Sequence, residues 1–388
     1  MAEIFKKEKQ NTVKSEAGKY FDFNLLFITV FLCIFGVIMV YSAGTYVSEA
    51  KRASLEKQLI IIAGSVLVTF LMMRLPYRIW SGLSVFILVM SAILLVLVKT
   101  PLGLESHGAT RWIQVGPITL QPAEVAKFAI ILYTATILNK CAKRILDIKV
   151  ALLVFVPTAF LAGMILLLTR NLSSAIIVTG IAVLMYFTMH PNWSKFLFVA
   201  AVIGIIAMVV ILYVGAMDVS NMDLNDLGSF RLRRIVAWLH VEAFSDSQAM
   251  QTLNALYAIG SGGLFGKGLG GSIQKAILPE PQNDMIFAII CEELGLFGAF
   301  VLILLFILLL YRIIFIARNT TNRFASILCV GVFAQFAIQI IMNIGVTTNM
   351  IPNTGVTLPF ISYGGSAIAI LIMEVGLVLK ASRSIPVE

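Results

Sequence analysis

Ten long apolar segments constrain the fold of this 388-residue chain more than any other feature. Each is about 20 residues long, which is the length that an α-helix needs to cross the hydrocarbon core of a bilayer. Apolar residues follow one another within the segments without alternating, and this favours helices over the strands of a membrane barrel. The predicted spans are 25–44, 57–73, 79–98, 122–139, 150–169, 172–189, 195–215, 285–316, 324–347 and 360–380.

Composition points to the same class of protein. Hydrophobic residues make up 59% of the chain and charged residues 13%, whereas about a quarter of a typical soluble chain is charged. That leaves too little polar surface for a cytosolic enzyme or a disordered protein. The four cysteines are scattered and lack the spacing of a metal site or a disulfide framework. We therefore predict an all-α polytopic membrane protein.

Lysine and arginine residues in the short connections predict its orientation. They concentrate on the side of the Lys-rich N-terminal tail, and such residues mark the cytoplasmic side of a membrane protein. Both termini are therefore predicted to be cytoplasmic, with tails at 1–24 and 382–388 around a single transmembrane domain at 25–381. This orientation accounts for the net charge of +9, so we expect no nucleic-acid partner.

The longest connection, 216–284 between spans seven and eight, is then extracytoplasmic. Connections longer than about 15 residues are usually functional or disordered. This one has amphipathic stretches at 231–244 and 248–259 and a glycine cluster at 260–271. We expect short helices and a segment that re-enters the membrane or lies on its surface. The glycines formally fit G-x-G-x-x-G, but no strand precedes them, so they indicate close backbone approach or a tight turn rather than nucleotide binding.

Acidic residues at the start of span eight are the strongest candidates for chemistry, because ionisable groups in or beside a span are costly. Asp284 directly precedes the span. It is either a helix cap, which position alone favours, or a base at the membrane surface. Glu292 and Glu293 follow about 12 Å further along a helix. For them, facing a polar cavity or a cation and making a buried structural hydrogen bond are equally good explanations.

Other charged residues suggest a binding site for an anion. Glu124 and Lys127 share one face of span four, where they form either an ion pair or part of a site. Arg111 and Trp112 in the preceding outer connection are either a membrane anchor or a phosphate contact. Glu374 is expected to be a snorkelling or paired acid near Lys380. Further positive charge on the outer side comes from Arg231, Arg233, Arg234, Lys267 and Lys275. A transporter and a membrane enzyme acting on an anionic lipid both fit this pattern.

Several motifs, in order along nearly the whole chain, resemble those of the SEDS family of bacterial cell-wall proteins, which includes FtsW, RodA and SpoVE. These motifs lie at 39–43, 111–113, 121–127, 262–270, 278–280, 283–295 and 358–366. The segment 357–360 is closer to the FtsW and SpoVE branch. The chain departs from the family at 171–174, where Asn171 stands in place of an aspartate, and at Glu374, where an apolar residue is expected.

The resemblance implies a peptidoglycan glycosyltransferase in the bacterial cytoplasmic membrane. Such an enzyme polymerises lipid II at the outer face, works with a class B penicillin-binding protein as the transpeptidase, and meets other division or elongation proteins. Asp284 matches the family's essential acid and would deprotonate the acceptor hydroxyl in an inverting displacement. Lys127, oriented by Glu124, would bind the leaving pyrophosphate, with a divalent cation, Mg²⁺ or Mn²⁺, as a further expected aid.

The wider candidate set for substrate or pyrophosphate binding adds residues near these motifs. They are Arg111, Trp112, Gln121, Gln248, Lys267, Ser272, Gln274, Lys275, Glu280 and Ser366. Glu292, Glu293 and Glu374 keep a structural or unassigned role. The alternatives to polymerisation are a lipid II flippase, which needs a polar path across the bilayer, and a non-catalytic scaffold for the transpeptidase.

Overall fold

The computed structural model describes residues 20–44, 52–106, 109–116, 118–217, 230–244 and 249–386. Most of the N-terminal tail and the candidate Gln248 lie outside the described residues. The described part is predominantly helical. Its helices are α1 Phe23–Gly44, α2 Arg52–Arg74, α3 Tyr77–Leu97, α4 Pro122–Lys140, α5 Ile148–Leu168, α6 Leu172–Met189, α7 Trp193–Gly215, α8 Phe230–Leu239, α9 Met250–Ser261, α10 Ile286–Asn319, α11 Arg323–Thr347 and α12 Gly365–Ser382.

A helix lies at each of the ten predicted spans, and eight of them are long and apolar enough to cross a membrane. These eight are α1, α3, α5, α6, α7, α10, α11 and α12. The prediction of an all-α polytopic membrane protein is therefore confirmed. Helix α2 contributes a shorter apolar stretch, Gln58–Arg74, and α4 carries Glu124 and Lys127. Ten spans with cytoplasmic termini therefore stays a prediction. The short helices expected between spans seven and eight are α8 and α9.

A small sheet between α3 and α4 was not predicted. Strands β1 Gly103–Ser106, β2 Ala109–Val115 and β3 Ile118–Leu120 pair antiparallel in that order. The continuous apolar runs predicted helices, whereas these strands are short and lie in a connection. The sheet matters because β2 holds Arg111 and Trp112 on a fixed backbone.

Helix α4 lies at the centre of the bundle. It packs against α3, α5, α6, α11 and α12, and nearly all of its side chains are buried. Pro122 is in the first turn, where its missing N–H costs no helical hydrogen bond. In contrast, α1, α3, α5, α7 and α10 expose many large apolar side chains, as helices that face lipid do.

Helix α10 is interrupted at Gly295, which has φ 69° and ψ −170°. The part after the break, 296–319, runs alongside α1. Arg312 donates to Asp22 at one end of α1, with Nε to Oδ2 at 3.1 Å, and Ser42 donates to Glu293 at the other end, at 2.6 Å. Glu293 therefore lies level with the predicted outer end of α1. A straight eighth span would place it deeper in the bundle.

Candidate active site

Asp284 lies in a turn immediately before α10, and its side chain is half-buried. The N-cap position of that helix falls on Met285, and no side chain caps it. The simple helix-cap alternative therefore does not describe Asp284. Asn343 of α11 fixes the turn, because its amide donates to the carbonyl oxygens of both Asp284 and Val356, at 2.8 Å each.

The carboxylate of Asp284 faces side chains from two other parts of the chain. Gln251 of α9 donates from Nε2 to Oδ1 of Asp284 at 3.3 Å. Asn353, in the connection between α11 and α12, donates to Oε1 of Gln251 at 2.8 Å. A chain of two amides therefore orients the carboxylate and links α9 to the α11–α12 connection.

Two guanidinium groups complete the surroundings of Asp284. Burial lowers the pKa of Arg111 on β2, and the charge of Asp284 opposes that shift. Burial and the neighbouring Arg111 lower the pKa of Arg234 on α8, and Asp284 again opposes them. Arg234 also donates from Nη1 to the carbonyl of Asn353 at 3.2 Å. Asp284, Gln251, Asn353, Arg111 and Arg234 together form the Asp284 cluster. Its one carboxylate and two guanidiniums give it an excess of positive charge.

A cavity of about 170 Å³ opens beside the Asp284 cluster. Arg234, Trp238, Gln251, Thr252 and Asn353 provide most of its lining. Its wall therefore combines polar and apolar groups, and Gln251 joins it to Asp284. The buried Nε of Arg111 has no hydrogen-bond partner among the described residues, so this donor is available to an anion.

A second polar group lies inside the bundle. Lys127 and Glu124 form a buried ion pair at 2.7 Å, which is one of the two roles that their spacing left open. Glu374 of α12 interacts electrostatically with both and accepts a hydrogen bond from Gln335 of α11 at 3.0 Å. Because Glu374 is fully buried, its expected snorkelling is wrong, and its partners are Gln335 and the Lys127–Glu124 pair rather than a group near Lys380. The second group carries two acids against one lysine.

Gln121 and Ser366 connect the starts of α4 and α12, since the backbone N–H of Gln121 donates to the hydroxyl of Ser366 at 3.1 Å. Trp112 is half-buried on β2, next to Arg111. Glu280 is exposed in the stretch before Asp284 and accepts a hydrogen bond from Asn283. The ligand roles of these residues stay predictions.

A third group explains the two adjacent acids of α10. Lys267 pairs with Glu292 at 2.7 Å, and Lys275 pairs with Glu293 at 3.1 Å. Ser272 donates to Glu292 from its hydroxyl. Both carboxylates are fully buried. Each acid therefore faces a cation, as one of the two explanations left open by the sequence held, and each is also buried and hydrogen-bonded, as the other held.

The contacts of this third group favour structural roles for its lysines and their neighbours. The ammonium of Lys275 donates to the carbonyls of Ser42 and Gly270 as well as to Glu293. All three of its donors are therefore used. Gln274 contributes its backbone N–H to Glu292 at 3.2 Å.

The glycine cluster packs against the break in α10. Lys267 and Gly268 donate their N–H groups to the carbonyls of Glu292 and Glu293, at 2.9 Å each. A Cβ on Gly266 would lie 2.2 Å from the carbonyl oxygen of Glu293. The glycines thus permit close backbone approach, as predicted, but the neighbour is another part of this chain.

The protein ligands around Asp284 do not form a complete metal site. Within the described ranges, no three His, Cys, Asp or Glu side chains are placed to hold a metal ion. Mg²⁺ usually takes one or two carboxylates together with water and substrate phosphates. Asp284 provides one carboxylate, and two arginines already supply positive charge there. A divalent cation therefore remains a prediction from the resemblance.

Sequence reasoning missed two members of the Asp284 cluster, Gln251 and Asn353, and noted Arg234 only as general outer charge. No motif marks these amides, and they come from distant elements. The amphipathic pattern at 248–259 was the one available signal for Gln251.

A polytopic helical membrane protein with a charged, half-buried carboxylate site is the class that the fold and site define. The chain matches the FtsW, RodA and SpoVE family model, described as a cell cycle protein, over residues 23–385. It therefore belongs to that family, as its motifs indicated.

Two relatives illustrate the similarity in sequence. Stage V sporulation protein E of Bacillus subtilis (strain 168) is 36% identical over 368 residues, covering 93% of this chain and 97% of the relative. The probable peptidoglycan glycosyltransferase FtsW of the same strain is 34% identical over 380 residues, covering 94% and 91%.

Solved structures agree with the fold. The rod shape determining protein RodA of Thermus thermophilus superposes with a TM-score of 0.65 at 25% identity, covering 95% of this chain and 98% of that one. A chain from a peptidoglycan synthase complex, studied for its coordination of polymerization and crosslinking, gives a TM-score of 0.73 at 24% identity and covers 94% and 98%. At that identity the second comparison shows the fold alone.

Proposed function

We propose that this protein is a peptidoglycan glycosyltransferase that polymerises lipid II at the outer face of the cytoplasmic membrane. The observation that carries the proposal is the Asp284 cluster, in which a carboxylate that can accept a proton lies beside two guanidiniums. The family relationship supports the same activity, since relatives over 30% identical carry the name peptidoglycan glycosyltransferase.

Asp284 is the proposed general base. Its carboxylate takes the proton of the acceptor's 4-hydroxyl as that oxygen attacks the anomeric carbon of the donor sugar. The new glycosidic bond forms as the bond to the lipid pyrophosphate breaks, so the configuration inverts in one displacement. Gln251 and Asn353 orient the base, and such a base typically contributes about 10²–10⁴ in rate.

Arg111 and Arg234 are the better candidates for stabilising the leaving pyrophosphate. Arginine binds phosphate oxygens in pairs through its planar donors, and Arg111 has a buried Nε without a partner in the described chain. Lys127, the candidate from the family resemblance, is 1% exposed and is paired with Glu124. The local excess of acid around Lys127 disfavours an anion.

The flippase alternative loses two of its supporting residues. Glu292 and Glu293 are occupied by Lys267 and Lys275 beside the end of α1, so they do not line a path across the bilayer. The group of Glu124, Lys127 and Glu374 is what still favours transport.

We also propose a class B penicillin-binding protein as the partner, because crosslinking of the new glycan needs a transpeptidase. The pairing is proposed by analogy with the peptidoglycan synthase complex, which shares the fold and was studied for coordinated polymerization and crosslinking. Other division or elongation proteins remain expectations.

The test is polymerisation of fluorescent lipid II by the purified protein with its cognate transpeptidase. Wild type is compared with Asp284→Asn and with Glu242→Gln, which makes the same chemical change at an exposed carboxylate. We expect glycan ladders from wild type and from Glu242→Gln and none from a folded Asp284→Asn protein. Ladders from Asp284→Asn would remove Asp284 as the base. No ladders from any protein, together with lipid II transfer across vesicles, would favour the flippase. Repeating the assay with EDTA and with added Mg²⁺ or Mn²⁺ tests the cation.

A further inference from the structure

The segment 263–277, between α9 and the turn that holds Asp284, has its large apolar side chains on the outside. Phe265 is 80% exposed, the highest exposure among the large hydrophobic side chains that the structure describes. The other exposed apolar residues of the segment are Leu264, Leu269, Ile273 and Ile277. Scattered exposed apolar residues are ordinary on a soluble surface, but a contiguous group of large ones marks an interaction surface.

The two lysines of the same segment are bound to acids of α10, although Lys267 remains partly exposed. Lys267 is bound to Glu292 and Lys275 to Glu293, and Lys275 is almost completely buried. The segment therefore presents apolar groups outward and pairs its cations with acids of the protein. A solvent-exposed loop usually shows the reverse arrangement.

Much of the irregular backbone of the segment is also satisfied internally. The N–H groups of Lys267 and Gly268 bond to α10, that of Gly271 bonds to the carbonyl of Gly268, and that of Gly270 bonds to the hydroxyl of Ser42 on α1. Away from water, non-helical backbone is tolerated only when the protein itself supplies such partners.

The segment continues a surface that faces lipid. The N–H groups of Leu296 and Phe297 on α10 bond to the carbonyls of Gly263 and Leu264. Leu296, Phe297 and Phe300 are themselves strongly exposed on a helix that is long and apolar enough to span. The apolar side chains of the segment thus extend the apolar belt of α10 without a polar gap at the junction.

We propose that 263–277 is an interfacial membrane anchor whose exposed apolar side chains insert among the acyl chains of the outer leaflet. Surface-lying segments bury such a face about 5–10 Å into the boundary between headgroups and acyl chains. The inference does not depend on the glycosyltransferase activity. The segment 263–277 is then the part of the long 216–284 connection that contacts lipid. This contact fixes how deep in the membrane the chain leading to Asp284 lies.

Site-directed fluorescence tests the anchor. The variant Phe265→Cys is labelled with the environment-sensitive fluorophore NBD and reconstituted alone in vesicles of phosphatidylglycerol and phosphatidylethanolamine. Glu105→Cys, at an exposed position on β1, is the matched control, and labelled wild type gives the background from the native cysteines. We expect blue-shifted emission at position 265, strong quenching by acyl-chain nitroxide lipids and weak quenching by iodide. The control is expected to show the opposite.

Strong iodide quenching and unshifted emission at position 265 would overturn the anchor. A blue shift that appears only after a penicillin-binding protein is added would also overturn it, because the surface would then be a protein interface. Leu269→Cys provides an independent second position if the Phe265 variant fails to fold, and the same outcomes apply to it.

Discussion

The contact between the glycine cluster and the break in α10 makes a prediction about Gly266→Ala. Gly266 has φ +77°, a left-handed conformation, and its absent Cβ would lie 2.2 Å from the carbonyl oxygen of Glu293. The substitution therefore has two separate costs, one in backbone conformation and one in contact with a backbone atom that cannot rotate away.

The two costs can be estimated from the structure. Alanine in the left-handed region costs about 1–2 kcal/mol. Relieving the contact with Glu293 requires the segment to move, which breaks the hydrogen bonds from Lys267 and Gly268 to α10, both 2.9 Å long. Each such bond contributes about 1 kcal/mol net. We expect Gly266→Ala to lower the free energy of unfolding by about 3–4 kcal/mol.

Two nearby glycines separate these costs. Gly268 has φ +86° but nothing within 4 Å of its Cβ position, so Gly268→Ala has the conformational cost alone, about 1–2 kcal/mol. Gly262 lacks a positive φ but would place its Cβ 2.0 Å from the carbonyl of Cys291, so Gly262→Ala has the contact cost alone. Thermal unfolding of all three variants in one detergent is the assay, with Gly266→Ala expected to be the least stable. A Gly268→Ala protein as unstable as Gly266→Ala would show that the contact with Glu293 contributes nothing to the loss of stability.

Three further predictions concern the charged groups. Lys275→Met leaves Glu293 buried without its partner and should lower the free energy of unfolding by about 3–5 kcal/mol. Adding Glu293→Leu should restore most of that stability in thermal unfolding. If it does not, packing rather than charge accounts for the loss. Glu374→Gln keeps the size and the contact with Gln335 and should retain polymerisation, so a loss of glycan ladders with unchanged stability would assign Glu374 a functional role. Arg111→Gln should lower the polymerisation rate by about 10²-fold without changing the unfolding midpoint, and wild-type rates would contradict its proposed place at the pyrophosphate.

The apolar spans were predictable because each is a local, continuous signal about 20 residues long. The sheet was not, since its strands are short and partly polar. Gly295 lies inside a predicted span, and an isolated glycine in a helical pattern is usually tolerated, so the break in α10 left no readable signal. A single straight helix over the predicted span 285–316 would place Glu292 and Glu293 deeper in the bundle than the structure does.

The candidate site was likewise predictable only in part. Asp284 was predictable because it is an acid directly before an apolar run, within a family motif. Of its partners, Arg111 was a candidate from its own motif, but its meeting with Asp284 was not predictable. Arg111, Arg234, Gln251 and Asn353 come from four different elements and meet only after folding. Local sequence periodicity carries no information about contacts between residues that are distant in the sequence.

The break at Gly295 also explains how a membrane-embedded chain can hold the proposed base, Asp284, outside a regular helix. Because the helix is interrupted there, the direction of 286–294 is not dictated by the span that follows. It can be set by the glycine cluster and by the ion pairs of Glu292 with Lys267 and of Glu293 with Lys275. Asn343 then holds the turn at Asp284 from α11, and Gln251 holds its carboxylate from α9. Stability and activity are therefore coupled through the break: a change at Gly266 that leaves every member of the Asp284 cluster intact should still slow polymerisation, because it releases the segment that joins α9 to that turn.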